Sequence, residues 1–243
     1  MSLRVFLLAA GFGSRLRPLT NTIPKCAVPI NGKPLVHYWY DQLSVLEIDA
    51  FLVNSHYLPK KMEAVISDLP VSMFKKTNIS YESELLGTAG SLLKNIDFLE
   101  KSDTVLIAHA DNLCLCDFEA FLNAHNNRPS NSLMTMMLFR TPTPESCGVV
   151  ALNDIGCVLE FHEKVKNPPS NLANGAVYLM DRTFFKWLSE QTELPPTPDI
   201  SLDIIPKLMG KIFTWENQGY HRDIGTPESY QQACLDMTNL RNN

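Results

Sequence analysis

The sequence predicts an α/β fold in which a mixed, mainly parallel sheet is flanked by helices. Three observations support this class. Apolar runs alternate with segments of helical periodicity from residue 3 to residue 110, which is typical of strand-helix-strand units. The run at 104–110 is rich in aliphatic and β-branched residues, as in a strand covered on both faces. After residue 133, strand-like segments follow one another across short turns, which indicates a partly antiparallel extension.

The first half of the chain supplies the parallel part of the sheet. Its predicted strands are Leu3–Ala9, Ala50–Asn54, Ile79–Glu82 and Thr104–Ala110, and its predicted helices are Leu35–Leu46, Pro59–Leu69 and Thr88–Leu99. Open parallel sheets bind ligands outside the carboxyl ends of their strands. We therefore expect the segment Gly11–Arg15, the residue Asp111 and the loop before Thr88 to converge on one edge.

The second half of the chain extends the sheet and closes the fold. Its predicted strands are Leu133–Arg140, Val149–Leu152, Val158–Glu163 and Ala176–Met180. Prolines at 195, 196 and 198 predict a stiff surface loop. The last predicted helix is Pro227–Leu240, with a proline in its first turn and Thr226 as its N-cap.

Length and composition favour one domain over residues 1–243. The chain is 45% hydrophobic and 19% charged, so it can bury a substantial core, and its net charge is −5. That balance argues against nucleic acid or an anionic membrane as the main partner, since both favour a basic surface. The N-terminus does not read as a secretory signal, and no apolar run is long enough to span a bilayer, so we expect a cytoplasmic protein.

The six cysteines lack the dense spacing of a disulfide framework, which predicts reduced thiols. Cys114 and Cys116 could form half of a zinc site. Such a site needs a second pair at ligand spacing, and none is evident, so small buried or loop cysteines are the favoured interpretation.

The segment Leu7–Thr20, followed by Pro24 and Lys25, has the form of a phosphate-binding loop. Gly11 and Gly13 permit close approach of the backbone to a ligand, and Arg15 and Lys25 add positive charge. The segment is neither a P-loop nor a dinucleotide fingerprint, because Ser14 and Arg15 follow the second glycine and Leu16 takes the place of a third. Locally, the glycines could also do no more than shape a turn, with the arginines solvated.

Two aspartates have the chemistry of magnesium ligands. Asp111 follows the apolar strand at 104–110, and Asp223 precedes the segment Ile224–Glu228, which reads Ile-Gly-Thr-Pro-Glu. Carboxylate oxygens are the ligands that Mg²⁺ takes from proteins. Taken singly, Asp111 could be an exposed residue or a helix cap, and Asp223 could cap the following helix.

Four further motifs lie between these elements. They are Glu82–Gly90 with the sequence Glu-Ser-Glu-Leu-Leu-Gly-Thr-Ala-Gly, Cys147–Val150, the pair Glu163 and Lys164, and Asn174–Tyr178. None is specific by itself, and an exposed Glu-Lys pair is commonly only a solvated ion pair.

Together and in this order, the motifs resemble those of the nucleotidyltransferases that make nucleotide-sugars from a nucleoside triphosphate and a sugar 1-phosphate. The opening run is similar to the family pattern L-A-A/G-G-x-G-T/S-R-L-x-P-L-T followed by P-K, and the resemblance extends from residue 5 to about residue 230. One departure is mild: Ala110 stands where the family has a glycine before its metal-binding aspartate.

The resemblance implies a Rossmann-like nucleotide-diphospho-sugar transferase fold. Its nucleotide-binding part would span about 1–130 and its sugar-phosphate-binding part about 131–243, without the hexapeptide-repeat domain that some relatives append. It also implies roles in nucleotide-sugar and polysaccharide biosynthesis. The sequence leaves the oligomeric state open, and a homo-oligomer is compatible with it.

The resemblance assigns a role to each candidate residue. Arg15 and Lys25 would be catalytic, with Arg15 on the leaving pyrophosphate and Lys25 on the triphosphate, and Asp111 and Asp223 would bind Mg²⁺. Lys164 would hold the acceptor phosphate, and Gly148, Glu163 and Asn174 would meet the sugar. The implied nucleotide-binding residues are Leu8, Ala9, Ala10, Gly11, Gly13, Ser14, Glu84, Gly87, Thr88, Ala89 and Asp111.

The form Leu-Gly-Thr-Ala-Gly at 86–90 looks more like the guanylyltransferases for mannose- or heptose-type sugars than like the uridylyl or thymidylyl enzymes. A CTP-dependent cytidylyltransferase acting on a sugar phosphate or a phosphorylated non-sugar is the alternative. A noncatalytic regulatory relative is a third hypothesis, although such a protein has no reason to keep Arg15, Lys25 and both aspartates.

No role is assigned to His37, His56 or His125, whereas His162 and His221 flank site residues and are candidates for orienting them.

Overall fold

The computed structural model describes residues 2–242, and within them a central sheet of nine strands carries the fold. The strands of this part of the chain are β1 (Leu3–Leu8), β2 (Pro29–Ile30), β3 (Lys33–Pro34), β4 (Ala50–Ser55), β5 (Thr77–Tyr81), β6 (Thr104–His109), β7 (Asn112–Cys114), β8 (Met134–Arg140), β9 (Gly148–Leu152), β10 (Val158–Glu163), β11 (Leu172–Asp181), β12 (Ile212–Glu216) and β13 (His221–Asp223). The helices are α1 (Leu35–Leu43), α2 (Pro59–Ser67), α3 (Val71–Phe74), α4 (Thr88–Lys94), α5 (Ile96–Leu99), α6 (Phe118–Asn126), α7 (Arg182–Ser189) and α8 (Pro227–Asn242).

The sheet has a parallel half and an antiparallel half that meet at β6. Strands β6, β1, β4 and β5 are parallel neighbours, and β11 pairs with β6 in the opposite direction. On its other edge β11 pairs with β8, which β12 joins in parallel, while β9 and β10 extend the antiparallel half. The predicted α/β class and mixed, mainly parallel sheet are confirmed.

Both faces of the sheet are covered. In β1, Val5 and Leu7 belong to one buried cluster and Phe6 and Leu8 to another, because successive side chains of a strand point to opposite faces. The first cluster contains Trp39 among its largest side chains. A strand with two covered faces needs apolar residues at nearly every position, which explains the continuous apolar run that the sequence shows.

One predicted helix is wrong. The segment predicted as a single helix from Thr88 to Leu99 is two helices, α4 and α5, because Asn95 leaves the helical region with φ −108° and ψ 18°. Its side-chain Nδ2 donates to the Ser91 carbonyl at 2.8 Å and its own carbonyl accepts from Phe98 N. An asparagine that bonds to nearby backbone groups competes with the helical ladder in this way.

Other boundaries differ by a few residues. Helix α1 ends at Leu43 and α2 at Ser67, and β5 begins and ends earlier than predicted. The strand predicted at 176–180 is the end of the ten-residue β11. Thr226 is confirmed as the cap of α8, since its Oγ1 accepts from Ser229 N at 3.2 Å.

The proline-rich segment at 195–198 lies on the surface except at its end. Residues 195–197 are exposed, whereas Pro198 is buried and its carbonyl accepts from Ala89 N at 2.9 Å. The first turn of α4 is therefore capped by this segment. Among residues 2–242, no helix combines the length and the apolar character needed to cross a membrane.

His125 lies in α6, and its burial makes the fold sensitive to acid. Burial, followed by the nearby Arg128, lowers the pKa of His125 to about 3. Its Nδ1 lies 2.8 Å from Thr135 Oγ1. This environment is that of a core histidine.

We predict that stability falls as the pH drops below the ordinary histidine pKa of about 6.5, because the unfolded chain then binds a proton that the folded chain excludes. Between pH 7.5 and 5.5 this residue should cost about 1.4 kcal/mol of unfolding free energy. Urea unfolding at both pH values measures the loss, and His125→Gln should show it reduced by that amount. An equal loss in the variant would contradict the prediction.

Candidate functional site

A cavity of about 250 Å³ lies at the carboxyl ends of the parallel strands. The loop after β1, the segment before α4 and the residue after β6 all line it. The lining residues include Leu8, Ala10, Gly11, Gly87, Thr88 and Asp111. The expectation that these three segments converge on one edge of the sheet is confirmed. We call this space the nucleotide cavity, after the ligand that the sequence resemblance implies for these residues.

The nucleotide cavity has an acidic floor that sequence reasoning missed. Glu82, which is 1% exposed, and Asp199 line it together with Asn54 and Ser91. Thr88 Oγ1 donates to Asp199 Oδ2 at 2.9 Å, which joins the start of α4 to the segment after Pro198. Glu84, by contrast, is exposed and lines a neighbouring cavity of about 580 Å³. Strand alternation could not have separated the two residues, because positions i and i+2 of an extended chain point to the same face.

The loop after β1 folds tightly around Lys25. Gly13 has φ +63°, and a Cβ on it would lie 2.9 Å from Lys25 Cβ and 3.0 Å from Thr20 Cγ2. Thr20 Oγ1 donates to the Gly13 carbonyl at 2.7 Å. Only glycine fits a backbone of this conformation at this distance. Of the predicted nucleotide-binding residues, Ala9, Gly13, Ser14 and Ala89 do not line the nucleotide cavity.

A second cavity of about 230 Å³ adjoins the first, and Asp111 and His109 line both. We call it the acceptor cavity. It collects the predicted residues that are farthest apart along the chain. They are Arg15, Lys25, Asp111, Gly148, Glu163, Lys164, Asn174 and Asp223.

Lys25 joins the two predicted metal ligands. Its Nζ lies 2.6 Å from Asp111 Oδ2 and 3.1 Å from Asp223 Oδ1. Two oxygens that contact one nitrogen can be no farther apart than the sum of those distances, so both carboxylates face the same point. Arg15 approaches the same group, with Nη2 3.9 Å from Asp223 Oδ2.

A short antiparallel ribbon brings the aspartates together. Strands β7 and β13 pair so that Asp223 faces Asn112, and Ile224 N donates to the Asp111 carbonyl at 3.1 Å. Gly225 follows, and a Cβ there would lie 2.5 Å from Asp223 Oδ2 and 3.1 Å from Arg15 Nη2. The glycine after Ile224 therefore leaves room for the charged groups.

The charges of this group stabilise one another. Burial opposes a charge on Lys25, but the carboxylates of Asp111 and Asp223 outweigh it and raise the pKa of the amine above its ordinary value. Burial also opposes ionisation of Asp111, yet Lys25, and after it His109, hold the pKa of that carboxyl below its usual range. Lys25 and Asp111 therefore each stabilise the charged form of the other.

The far wall of the acceptor cavity depends on a glycine. Gly148 begins β9, and a Cβ on it would lie 2.5 Å from Glu163 Oε2 and 2.4 Å from Phe161 Cζ. Glu163 Oε1 in turn lies 3.0 Å from Lys164 Nζ. Lys164 has φ +51°, and its backbone N donates to the Cys147 carbonyl at 3.0 Å. This turn directs an ammonium group with 66% exposure to the cavity rim.

Asn174 is presented by an irregularity in β11. The register between β11 and β8 shifts between Asn174 and Tyr178, and Ala176 has φ +53°. Asn174 Nδ2 donates to Tyr178 Oη at 2.8 Å, while its Oδ1 accepts from Ala176 N at 2.9 Å. Bulges of this kind redirect side chains next to sites.

Two histidines, His109 and His221, line the acceptor cavity. The sequence assigns no role to His109 and indicates His221 only as a candidate for orienting a neighbouring residue. Each has one buried ring nitrogen that no residue of the 2–242 range contacts by a hydrogen bond. His221 stacks against Phe139 with ring centroids 4.4 Å apart. His162 turns away, since its Nε2 pairs with Glu160 at 2.8 Å.

Comparison with known proteins identifies the family. The nucleotidyl transferase family matches residues 4–239 of the sequence. The chain belongs to the nucleotidyl transferase family. Among its relatives, a mannose-1-phosphate guanylyltransferase of Mycobacterium tuberculosis is 26% identical over an alignment of 235 positions, which covers 95% of this chain and 63% of that protein. A glucose-1-phosphate adenylyltransferase of Clostridium botulinum is 31% identical over an alignment of 252 positions, gaps included, which covers 95% of this chain and 65% of that protein.

The nucleotidyl transferase fold is also shared with a solved structure. A Bacillus anthracis protein assigned as a glucose-1-phosphate thymidylyltransferase, in complex with a sucrose, superposes with a TM-score of 0.82. The superposition covers 96% of this chain and 94% of that chain at 23% identity, which establishes the common fold. The chain spans just under two thirds of the length of the two curated relatives.

The donor set of this nucleotidyl transferase site fits magnesium. Asp111 and Asp223 offer hard carboxylate oxygens at one point, and that point already holds a cation, the ammonium of Lys25. Within residues 2–242, no cluster of three or more His, Cys, Asp or Glu side chains could hold a metal ion unaided. Mg²⁺ is commonly bound by one or two carboxylates together with substrate phosphates, and two carboxylates are what this site supplies.

We predict strong energetic coupling between Lys25 and Asp111. Lys25→Met and Asp111→Asn should each lower the free energy of unfolding by about 2 kcal/mol. Lys25→Met leaves two carboxylates facing each other, and Asp111→Asn leaves Lys25 with Asp223 alone. The double variant should be less destabilised than the two single variants together by at least about 1 kcal/mol.

Urea unfolding in magnesium-free buffer measures this coupling. The more exposed pair Arg140 and Glu216, with Nε and Oε1 2.9 Å apart, is the matched control, and its coupling should stay below about 1 kcal/mol. Equal coupling in the two pairs would contradict the role given to Lys25.

Proposed function

We propose that this protein joins a nucleoside triphosphate to a sugar 1-phosphate, giving a nucleotide-sugar and pyrophosphate. One observation carries the proposal: Lys25 holds Asp111 and Asp223 together at the junction of the nucleotide and acceptor cavities. Two anionic substrates need cations and a metal site where they meet. Membership of the nucleotidyl transferase family supports the same reaction.

The proposed step is a displacement at the α-phosphorus of the triphosphate. An oxygen of the sugar phosphate forms a bond to that phosphorus, and the bond to the β-phosphate oxygen breaks, so that pyrophosphate leaves with the electron pair. Phosphate monoesters have a second pKa of about 6, so the nucleophile is already anionic at neutral pH. No general base is needed, and catalysis consists of positioning and charge neutralisation.

The residues of the site divide this work. Arg15 binds the leaving pyrophosphate, Lys25 stabilises charge on the triphosphate, and Lys164 holds the acceptor phosphate. Mg²⁺ held by Asp111 and Asp223 would neutralise phosphate oxygens when bound. Glu163 accepts hydrogen bonds from sugar hydroxyls, and Asn174 also bonds to the sugar; both line the acceptor cavity.

For the nucleotide we infer GTP, and for the acceptor a mannose- or heptose-type sugar 1-phosphate. Glu82 supports the choice of base, because both side-chain hydrogen bonds that reach it go to Oε1, which leaves Oε2 in the cavity lining to accept hydrogen bonds from a base. Guanine presents two adjacent N–H donors on its pairing edge, whereas adenine and cytosine pair a donor with an acceptor there. The relatives include mannose-1-phosphate guanylyltransferases and glucose-1-phosphate adenylyltransferases, so the base is the point to test.

A pyrophosphate-release assay tests this function. It combines Mg²⁺ and a panel of sugar 1-phosphates with each of GTP, ATP, CTP, UTP and dTTP. We expect the highest kcat/KM with GTP and mannose 1-phosphate or a heptose 1-phosphate, and loss of turnover in Asp111→Asn and on chelation of Mg²⁺. Turnover with CTP and a phosphorylated non-sugar would replace this assignment with the cytidylyltransferase alternative. Absence of pyrophosphate with every pair would favour the regulatory one.

Lys164→Met should raise the KM for the sugar 1-phosphate by at least about tenfold, because a charge-assisted contact to phosphate is lost. The KM for the triphosphate should change little. Lys166→Met is the matched control, since Lys166 is exposed on the same loop and does not line the acceptor cavity. Steady-state kinetics with each substrate varied in turn measures both constants, and an equal rise for both substrates would refute the assignment.

A further inference from the structure

A buried polar cluster connects the floor of the nucleotide cavity to the phosphate loop. Asn54 at the end of β4, Glu82 after β5 and Ser91 in α4 are each at most 3% exposed. Asn54 Nδ2 donates to Glu82 Oε1 at 2.9 Å and to Ser91 Oγ at 3.1 Å. Ser91 Oγ also lies 2.6 Å from Glu82 Oε1. Three elements that carry the cavity therefore share one hydrogen-bond network.

Asn54 also holds the chain where it leaves the sheet. Strand β1 pairs with β4 as far as Leu7 and Val53. Beyond that pair, Ala9 N donates to Asn54 Oδ1 at 2.6 Å, so a side chain replaces the backbone of the neighbouring strand as acceptor. Ala9 is the residue at which the loop containing Gly11 and Gly13 begins. The direction in which that loop leaves β1 thus depends on Asn54.

The orientation of the Asn54 amide follows from its neighbours. The backbone N–H of Ala9 can only donate, so the amide oxygen of Asn54 must face it. Both hydrogens of Nδ2 are then directed at Glu82 and Ser91. Asn54 uses its oxygen for the phosphate loop and its nitrogen for the cavity floor, and no other side chain type of this size offers both groups.

Glu82 is a buried carboxylate without a cation. Among residues 2–242 no lysine, arginine or histidine forms an ion pair with it. Both side-chain hydrogen bonds that reach it converge on Oε1, which leaves Oε2 for a ligand in the cavity that Glu82 lines. A buried carboxyl group held only by neutral partners depends on the direction of their hydrogen bonds.

We propose that Asn54 is a positioning residue that sets the phosphate loop and the base-facing carboxylate of Glu82 in one fixed relation. This inference rests on the proposed nucleotidyl transfer and extends it to base selection. Asn54 lines the nucleotide cavity, but its amide oxygen and its amide nitrogen are both bonded to groups of the protein. It acts through Ala9 on the triphosphate and through Glu82 on the base, so it controls nucleotide binding and leaves the acceptor cavity unaffected.

The decisive experiment removes the hydrogen-bond donor that Asn54 offers to Glu82 and then restores a donor from the other side. In Asn54→Asp, the new side chain still accepts from Ala9 N but no longer donates to Glu82 Oε1 and Ser91 Oγ, and the KM for GTP should rise by at least about tenfold. The KM for mannose 1-phosphate should stay within about twofold. In the Glu82→Gln background the same change should be nearly neutral, because the new amide donates to the new carboxylate and the network closes again.

Asn78→Asp is the matched control. Asn78 lies on β5, and its Nδ2 donates to the Phe51 carbonyl of β4 at 3.3 Å, so it bridges the same two strands away from the cavity. The control should leave both KM values within about twofold of wild type. Thermal unfolding of each variant separates loss of fold from loss of binding, and the double variant Asn54→Asp with Glu82→Gln keeps the test available if Asn54→Asp alone does not fold.

Calorimetric titration of GTP, without sugar phosphate, is run on wild type and on the four variants. The proposal is supported if Asn54→Asp weakens GTP binding in the wild-type background and not in the Glu82→Gln background. It is overturned if the loss is equal in both backgrounds, which is the result for a merely structural asparagine, or if the KM for mannose 1-phosphate rises in step. A wild-type protein that neither binds a triphosphate nor releases pyrophosphate would instead reject the proposed function itself, and the positioning role with it.

Discussion

The arrangement of the site depends on the attraction between Lys25 and two aspartates. Asp111 follows the central strand β6, and Asp223 precedes the C-terminal helix. Without a cation between them, the two carboxylates would repel each other. The ammonium of Lys25 lies between them, 2.6 Å from Asp111 and 3.1 Å from Asp223. The Lys25 side chain is only 11% exposed, so water solvates it poorly. A cation at this point therefore allows the two carboxylates to lie close together in the folded chain.

Backbone pairing delivers these charges to one place. The ribbon of β7 and β13 fixes Asp223 opposite Asn112, and β6 carries Asp111 to the edge where β1 and β4 also end. Gly13 and Gly225 remove the side-chain atoms that would otherwise collide with Lys25 and Asp223. Main-chain hydrogen bonds thus determine where the carboxylates lie, and two glycines determine how closely the cations approach them.

The sequence was sufficient for the elements with long, strong patterns. Strands β1 and β6 read as apolar runs because both of their faces are covered, and the glycine loop and Asp111 follow from where those strands end. The ribbon of β7 and β13 could not be predicted, since three residues per strand are too few to show a period. Asn54 and Asn95 were missed for a different reason: asparagine is typical of turns, and only tertiary contacts show that one is a buried bridge and the other a helix break.

The contact between Pro198 and α4 has a consequence for where phosphate can bind. The amides at a helix start commonly attract phosphate groups, but at α4 the Pro198 carbonyl already accepts from Ala89 N, and Gly87 brings the two segments so close that a Cβ would lie 2.4 Å from that oxygen. The N-terminal end of this helix therefore donates to a neighbouring peptide carbonyl. An anion in the cleft can instead meet the amides and cationic side chains that follow the first strand. The groups that attract anions therefore lie on the β1 side of the cleft and not on the α4 side.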